Sequence, residues 1–183
     1  MAINVSDSNP PRPRILLVED EPIVLLDVTH ILTDLGYEVA GTATTGEQAV
    51  SLAAALAPDL IIMDIVLQGA ASGIDAARAI RSNAPIPIIY MTANADPATI
   101  DAARDTGPSG YVTKPVSSTD LHSNIESALY KDRMERRLRE SEARFRTLFH
   151  FAGEGILVAE VESKRFTYAN PAICKMLGYT EEE

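Results

Sequence analysis

Residues 15–21 read ILLVEDE and begin the pattern from which the fold can be predicted. The four consecutive apolar residues predict a strand that is buried on both faces, and the three acids after them predict a loop. Pro22 then begins a segment in which apolar residues recur at helical spacing up to Leu35, where Gly36 ends the pattern. A buried strand, an acidic loop and a helix therefore form the first βα unit of the chain.

Four more units of the same kind follow. Strands are predicted over residues 37–43, 60–63, 85–92 and 110–112, and a helix is predicted after each of them. The fourth helix, from about Pro97, is expected to be short because residues 97–109 contain few apolar side chains. Five strands alternating with five helices predict an α/β fold with a doubly wound parallel sheet and right-handed crossovers.

The composition excludes several classes of protein. Apolar residues make up 46% of the 183 residues and charged residues 23%, as in a folded globular chain rather than a disordered or fibrous one. No apolar run approaches the roughly 18 residues needed to cross a bilayer, and the first residues lack the apolar region of a signal peptide. The single cysteine, Cys174, permits neither an internal disulfide nor a multi-cysteine zinc site. We therefore expect a cytoplasmic protein with no membrane contact in this segment.

Charge divides the chain into two regions. Residues 1–130 hold 16 acids against 6 lysines and arginines, whereas residues 131–183 hold 10 of each. The acidic first region repels phosphate groups, so we expect no nucleic-acid partner. Interspersed charges between residues 131 and 146 are typical of a solvated helix face.

Five polar residues stand at or just after the ends of predicted strands: Glu19, Asp20, Asp64, Thr92 and Lys114. Because ligands of open α/β sheets bind at the carboxyl ends of the strands, these side chains are expected to converge in one crevice. Three carboxylates in one crevice repel one another unless a hard divalent cation lies among them, and oxygen ligands suit Mg²⁺. With a lysine and a threonine facing a phosphoryl group on a carboxylate, the set predicts a phosphoryl-transfer site.

Residues 14–130 resemble the receiver domain of two-component response regulators. The resemblance is carried by ILLVEDE at residues 15–21, LIIMD at 60–64, YMTA at 90–93 and GYVTKP at 110–115. It implies a flavodoxin-like sheet with strand order 2-1-3-4-5. It also implies a signalling module of a phosphorelay, phosphorylated by a histidine kinase or a phosphotransfer protein.

The resemblance implies roles for individual residues at the acidic end of the crevice. Asp64 looks like the phosphoacceptor, Asp20 like a direct Mg²⁺ ligand, and Glu19 like a ligand that acts directly or through water. The backbone carbonyl of Val66 would be the third protein ligand. The predicted cofactor is therefore Mg²⁺ alone.

On the other side of the crevice, the resemblance implies contacts to the phosphoryl group. Thr92 would hydrogen-bond a phosphoryl oxygen, and Lys114 would pair with the phosphoryl charge. Tyr111 resembles the aromatic switch residue that turns inward when Thr92 moves. In this family the peptide between Lys114 and Pro115 is expected to be cis.

The helical pattern does not stop at the end of the receiver-like region. Apolar or small residues follow at spacings of four, three, four and three: Met134, Leu138, Ser141, Phe145 and Leu148. This is the a/d seam of a heptad repeat, shifted by one residue from the stripe that would face the receiver sheet. A helix packed on its own domain would also carry an apolar stripe. However, no globular sequence adjoins this stretch that could cover a second apolar stripe. We therefore predict a parallel coiled coil, and with it a homodimer, over residues 131–150.

From about Arg139 the chain resembles the opening of a PAS sensory domain. The motifs are SEARFRTLF at residues 141–149, GILV at 155–158, YANPA at 168–172 and LGYT at 177–180. They imply two strands and a helix that begins at Pro171. Because residues 151–183 are too few for a whole PAS sheet, we expect the N-terminal part of a longer protein. Receiver, helix and PAS in this order resemble hybrid sensor histidine kinases, although no ATP-binding kinase motif is present here.

The expected organisation is a disordered tail over residues 1–13, a receiver domain over 14–130, a coiled-coil signalling helix over 131–150 and a truncated α+β PAS segment over 151–183.

Three other functions stay open on the sequence. A phosphatase of the haloacid-dehalogenase type also uses an aspartyl phosphate, but it needs a second carboxylate two residues after the nucleophile, where this chain has Val66. A flavodoxin-like flavin or nucleotide binder needs a phosphate-cradling loop after the first strand, where this chain has three acids. The only argument against an unphosphorylated dimerisation module is that the set of acids, threonine and lysine is complete.

Overall fold

A computed structural model describes residues 11–93 and 97–178 of the chain. The first ten residues of the predicted tail and the last five of the predicted PAS segment lie outside the described residues. The chain divides into two units, residues 1–132 and 133–183.

The first unit contains a five-stranded parallel sheet with the order β2-β1-β3-β4-β5, which confirms the predicted topology. Its strands are β1 (Arg14–Val18), β2 (Glu38–Ala43), β3 (Leu60–Asp64), β4 (Ile88–Thr92) and β5 (Gly110–Thr113). The connecting helices are α1 (Pro22–Asp34), α2 (Gly46–Leu56), α3 (Gly73–Asn83) and α4 (Pro97–Arg104), and α5 (Ser118–Phe151) follows the last strand.

Helices cover both faces of this sheet. Every residue of the central strand β3 is buried. One face packs against α2, α3 and α4, largely through small residues such as Ala49, Ala53 and Ala77. The other face packs against α1 and the first turns of α5, where Leu32, Leu121 and Ile125 are fully buried. Burial of the all-apolar strand runs between these two layers is the main stabilising term of the unit.

Local sequence signals fix the helix ends. Thr45 caps α2 by accepting a hydrogen bond from the Gln48 N–H, and Pro22 occupies the first turn of α1. Ser72 and Asp75 form a capping box at the start of α3, in which each side chain accepts a hydrogen bond from the other residue's backbone N–H. The Ser72 hydroxyl also donates to the Asp75 carboxylate and lowers the pKa of Asp75.

The structure corrects the start of the fourth strand. The sequence pattern predicts a strand from Pro85, whereas β4 begins at Ile88. Pro85 and Pro87 have no N–H group and cannot donate to a ladder. Pro87 still contributes its carbonyl, which accepts a hydrogen bond from the Ile61 N–H at 2.9 Å. The next helix, α4, has eight residues and is as short as expected.

The second unit contains the end of α5 and a small α+β segment. The strands β6 (Leu157–Ala159) and β7 (Phe166–Ala169) pair antiparallel, and α6 (Pro171–Leu177) follows. Both the strands and the helix start at Pro171 agree with the PAS-like pattern.

Asn170 connects three parts of this second unit by hydrogen bonds. Its side chain is fully buried, its Nδ2 donates to the carbonyls of Phe149 and Glu154, and its Oδ1 accepts from the N–H groups of Ile156 and Ile173. The side-chain amide therefore joins the end of α5, the turn before β6 and the start of α6.

No helix within the described residues is both long enough and apolar enough to span a membrane.

Candidate functional site

Four of the five polar residues predicted to converge at the strand ends line one open cleft, and the fifth, Glu19, is buried behind it. The cleft has a volume of about 490 Å³ and its wall includes Asp20, Asp64, Thr92 and Lys114. Its rim is completed by Glu21, by residues 65–68 after β3 and by Ala93 after β4. Each of the four polar residues follows or ends a different strand, so the order of the sheet is what brings them together.

Three carboxylates form the acidic side of the cleft. Glu19, Asp20 and Asp64 each offer an oxygen atom, and these atoms lie within 4.8 Å of one another. Glu19 is fully buried, Asp64 is nearly so, and Asp20 is partly exposed. The cluster therefore has a closed inner end and an outer end that solvent reaches.

Backbone N–H groups hold the carboxylates in place. The Glu19 carboxylate accepts a hydrogen bond from the Glu21 N–H at 3.2 Å, and the Asp64 carboxylate accepts one from the Val66 N–H at 3.1 Å. The Gln68 N–H donates to Asp20 at 3.3 Å. The loop after β3 thus contacts two of the three acids through its backbone, independently of its side chains.

Lys114 supplies the positive charge of the cleft. Its Nζ lies 2.5 Å from Asp64 Oδ2 and 2.6 Å from Glu19 Oε2. Burial lowers the pKa of Lys114, but the hydrogen bonds and charges of Asp64 and Glu19 outweigh that effect, so its pKa is raised and the ammonium form is favoured. The peptide between Lys114 and Pro115 is cis, as expected.

Glu19 lies in an environment that opposes its charge. Burial raises the pKa of Glu19, the Asp64 charge raises it further, and the hydrogen bond with Lys114 opposes both. The net effect is a raised pKa. Glu19 therefore depends on a nearby cation to stay ionised.

A glycine lets the backbone of α3 approach the phosphoacceptor candidate. A Cβ atom on Gly73 would lie 1.8 Å from the backbone oxygen of Asp64. The Gly73 N–H donates to the Ile65 carbonyl at 3.2 Å, so the start of α3 is tied to the end of β3. No side chain fits at this position without moving the backbone that presents Asp64.

A family model described as "Response regulator receiver domain" matches residues 15–126, more than half of the chain. The chain belongs to the response regulator receiver family. A second model, described as "PAS domain", matches residues 143–183. The receiver and PAS matches occur in the order that the sequence motifs indicate.

Relatives support the receiver assignment. The chain is 40% identical over 128 residues to the "Transcriptional regulatory protein PdtaR" of Mycobacterium tuberculosis strain H37Rv, a match that covers 70% of this chain and 62% of that protein. It is 34% identical over 123 residues to the "Transcriptional regulatory protein AfsQ1" of Streptomyces coelicolor, covering 67% of this chain and 54% of the relative. The matched segment is therefore little more than half the length of these curated relatives.

Solved structures show the same fold. The signal receiver domain of a modulated diguanylate cyclase from Desulfovibrio desulfuricans G20 is 37% identical, with a TM-score of 0.66, and the match covers 68% of this chain and 99% of that one. The N-terminal domain of a response regulator/sensory box/GGDEF protein from Carboxydothermus hydrogenoformans is 34% identical, with a TM-score of 0.59, covering 71% and 98% of the two chains.

The residues of this receiver fit a magnesium ion. Receiver domains typically bind Mg²⁺ in an acidic pocket, and here Glu19, Asp20 and Asp64 offer clustered oxygen ligands. Three carboxylate oxygens without sulfur or imidazole are the donor type that suits a hard cation such as Mg²⁺. Val66, whose carbonyl is the other predicted ligand, follows Asp64 by two residues, and its side chain is 68% exposed at the rim of the cleft.

Tyr111 lies beside the receiver core, next to a second tyrosine. Its ring centroid is 5.9 Å from that of Tyr90, and its hydroxyl is buried without a hydrogen-bond partner among the described residues. Burial raises the pKa of Tyr111. The Tyr90 hydroxyl, in contrast, is 3.0 Å from the hydroxyl of Thr106, whose carbonyl accepts a hydrogen bond from Arg81.

Sequence reasoning missed three of these features. It placed Lys114 opposite the phosphoryl group, but not in contact with Glu19 as well as Asp64. It did not identify Gly73 as the close-approach position, although a glycine immediately before a predicted helix is a signal that could have been used. It also gave no role to Tyr90, which reads as one more apolar residue of a buried strand.

Proposed function

We propose that the first unit is a phosphoacceptor: it takes a phosphoryl group from a histidine kinase or a phosphotransfer protein onto Asp64, with Mg²⁺ held by Glu19, Asp20, Asp64 and the Val66 carbonyl. The observation that carries the proposal is the meeting of Asp64 with two other acids and Lys114 at the mouth of one cleft. This set is what a receiver needs, and family membership supports it.

Asp64 is the nucleophile of the proposed reaction. One of its carboxylate oxygens forms a bond to phosphorus while the bond from phosphorus to the donor's imidazole nitrogen breaks, and the bonding electron pair leaves with the imidazole. The Val66 N–H and the Lys114 ammonium hold the carboxylate at the cleft. After transfer, Lys114 pairs with the phosphoryl charge, and the Thr92 hydroxyl donates to a phosphoryl oxygen.

The charges in the cleft explain the proposed metal requirement. Three ionised carboxylates against one ammonium leave an excess of two negative charges at the place where an anionic phosphoryl group must arrive. A bound Mg²⁺ would cancel that excess, so the anionic phosphoryl group would meet a cleft without net negative charge. Glu19, Asp20, Asp64 and the Val66 carbonyl would hold the ion, and Lys114 lies beside Asp64.

The switch proposal concerns Tyr111. A buried hydroxyl without a partner is unfavourable by about 1–3 kcal/mol, so the inward position of this ring is held by its packing and not by its polar atom. A small change beside Thr92 can therefore shift the balance between an inward and an outward ring. We propose Thr92 and Tyr111 as the two residues that carry the signal away from Asp64.

We further propose that residues 131–150 carry the signal as a dimeric helix from the receiver domain of residues 14–130 to a PAS sensor segment over 151–183. The support is the unbroken helix α5 and the exposure of its a/d residues. The haloacid-dehalogenase alternative is not favoured, because Val66 offers no second carboxylate.

The test is labelling with acetyl phosphate in Mg²⁺, followed by intact-mass measurement. Wild type should gain one phosphoryl group, and Asp64→Asn should gain none. Asp59→Asn is the matched control, because this carboxylate lies before β3 at the opposite end of the sheet, where it accepts a hydrogen bond from the Arg14 N–H. Labelling that persists in Asp64→Asn, or that proceeds equally in a metal chelator, would refute the proposal.

A further inference from the structure

The proposed dimeric helix has one apolar stripe along the second half of α5. The helix runs without interruption from Ser118 to Phe151. Four large apolar side chains on the stripe stay exposed to solvent: Met134 at 45%, Leu138 at 60%, Phe145 at 55% and Leu148 at 65%. Phe145 stacks on Phe149 at 5.6 Å, yet this contact leaves more than half of its side chain uncovered. The spacing of the stripe places Met134, Ser141 and Leu148 at d positions and Leu138 and Phe145 at a positions of a heptad.

Charged residues flank this stripe in an ordered way. The same heptad register places Arg137 and Arg144 at the g positions, on one side of the seam. It places Glu135 and Glu142 at the e positions, on the other side. All four side chains are exposed. Glu135 also pairs along its own helix with Arg139 at 3.7 Å. One flank of the seam is therefore basic and the other is acidic.

Two orientations of a paired helix would use these flanks oppositely. In a parallel pair, a g residue faces the e residue five positions further along the partner, which brings Arg137 opposite the partner subunit's Glu142. In an antiparallel pair, g faces g and e faces e, which opposes arginine with arginine and glutamate with glutamate. The flanks attract in the first orientation and repel in the second.

We infer that a second copy of this chain docks along the 134–148 stripe in parallel and in register, and that the Arg137–Glu142 pairs select this orientation. The inference rests on the dimeric helix of the proposed function and on the parallel pairing predicted from the heptad seam, and it adds the charge pairs that select this pairing. A second copy is the occupant that matches both features of the surface, because it brings an identical apolar stripe and the complementary flank. Ser141, a small polar residue in the middle of the seam, limits what apolar packing alone contributes, so the flanking charges decide the orientation.

Charge reversal on the full chain tests the selecting pairs. Arg137→Glu and Glu142→Arg should each weaken dimerisation, measured by sedimentation over a concentration series, by roughly tenfold, because each turns two symmetry-related attractions into repulsions. The double variant should recover most of the wild-type dissociation constant. Arg133→Glu and Glu140→Arg are the matched controls, because both residues are exposed at c positions, away from the seam.

Disulfide cross-linking tests the orientation. In a Cys174→Ala background, Met134→Cys and Leu148→Cys are prepared as separate variants and oxidised. A parallel, in-register pair brings each new cysteine next to its own copy, so both variants should form covalent dimers. An antiparallel pair can bring at most one of the two positions next to its own copy.

The outcomes separate the two levels of the proposal. A chain that is monomeric throughout the series overturns this inference and the dimeric helix, whereas acetyl phosphate labelling of Asp64 would still stand. A dimer that cross-links at only one position overturns the parallel geometry. A dimer that neither charge reversal weakens overturns the selection of orientation by the Arg137–Glu142 pairs. Weakening by both single variants, recovery in the double variant and cross-linking at both positions support the inference.

Discussion

Replacing Lys114 with methionine should destabilise the receiver unit because it leaves a buried carboxylate without a cation. Lys114 Nζ lies 2.6 Å from Glu19 Oε2, the side chain of Glu19 is fully buried, and that of Lys114 is only 12% exposed. Removing one partner of a buried ion pair typically lowers the free energy of unfolding by about 3–5 kcal/mol. Methionine keeps most of the lysine side chain's length and volume, so the loss reports on charge rather than on packing.

Glu19 can take up a proton instead of staying charged. The free energy of that protonation is therefore an upper limit on the contribution of Glu19 to the loss of unfolding free energy. The ordinary pKa of a glutamate is 4.5, so holding Glu19 protonated at pH 7 requires about 3.4 kcal/mol. We therefore expect a loss of about 3 kcal/mol at pH 7. Because burial and the Asp64 charge raise the pKa of Glu19 in the folded state, the folded variant binds a proton that the unfolded chain releases. The loss should fall to about 1.4 kcal/mol or less at pH 5.5.

The measurement is urea unfolding followed by circular dichroism, in chelator and in Mg²⁺. In chelator the Lys114→Met variant should show the full loss. In Mg²⁺ the free energy of unfolding of the variant should rise above its value in chelator, because a cation among the acids replaces the lost charge and binding at 100 times the dissociation constant adds about 2.7 kcal/mol. A double variant that also carries Glu19→Gln should lose less than Lys114→Met alone, since no buried charge is left unpaired. Lys131→Met controls for the loss of an exposed lysine.

Two results would refute this reasoning. A loss below about 1 kcal/mol in chelator would mean that the ion pair is as weak as an exposed one. A loss that is the same at pH 7 and pH 5.5, in a variant that Mg²⁺ does not stabilise, would mean that Glu19 does not carry the effect.

Two further substitutions test the surroundings of Asp64. Val66→Asn should speed the loss of phosphate from the labelled protein by about tenfold, because an amide two residues after the phosphoacceptor can position the attacking water whereas valine cannot. The measurement is a decay assay in Mg²⁺, and an unchanged or slower rate would contradict this prediction. Gly73→Ala should lower the free energy of unfolding by more than about 2 kcal/mol and impair labelling of Asp64, because its Cβ would lie 1.8 Å from the Asp64 carbonyl oxygen. Gly153→Ala is the matched control, since its Cβ would meet nothing within 4 Å, and equal behaviour of the two alanine variants would contradict the close approach.

The architecture of the receiver unit could be predicted because its strands are short, apolar and separated by periodic helices. Each strand is 4–6 residues long, and β3 is buried along its whole length, so its apolar run is distinctive. Once the alternation is read, the right-handed crossover rule leaves few topologies. The convergence of Asp20, Asp64, Thr92 and Lys114 then follows from their positions at strand ends. No detailed knowledge of side-chain packing is needed for that step.

The internal contacts of the cleft could not be predicted, because they depend on how deeply each residue is buried. Glu19 and Asp20 are neighbours at the end of β1, yet Glu19 is fully buried and Asp20 is partly exposed. The Glu19 N–H donates to the Ala43 carbonyl, so β1 pairs with β2 beyond its last strand residue and carries Glu19 inward. This inward position of Glu19 brings a second carboxylate within reach of the Lys114 ammonium. Sequence spacing contains no information about this difference between adjacent acids.

In the second unit, the apolar residues of the strands are exposed, so the apolar pattern does not predict the packing. Leu157, Val158, Phe166 and Tyr168 are large apolar or aromatic strand residues, and all four are exposed. Two strands of three and four residues cannot bury such side chains by themselves. What fixes the described fold of this segment is instead the fully satisfied amide of Asn170, a polar residue that periodicity treats as a turn. The sequence motif around residue 170 therefore identifies the PAS-like segment by the hydrogen bonds of Asn170. The apolar residues of its strands indicate surfaces that require a partner.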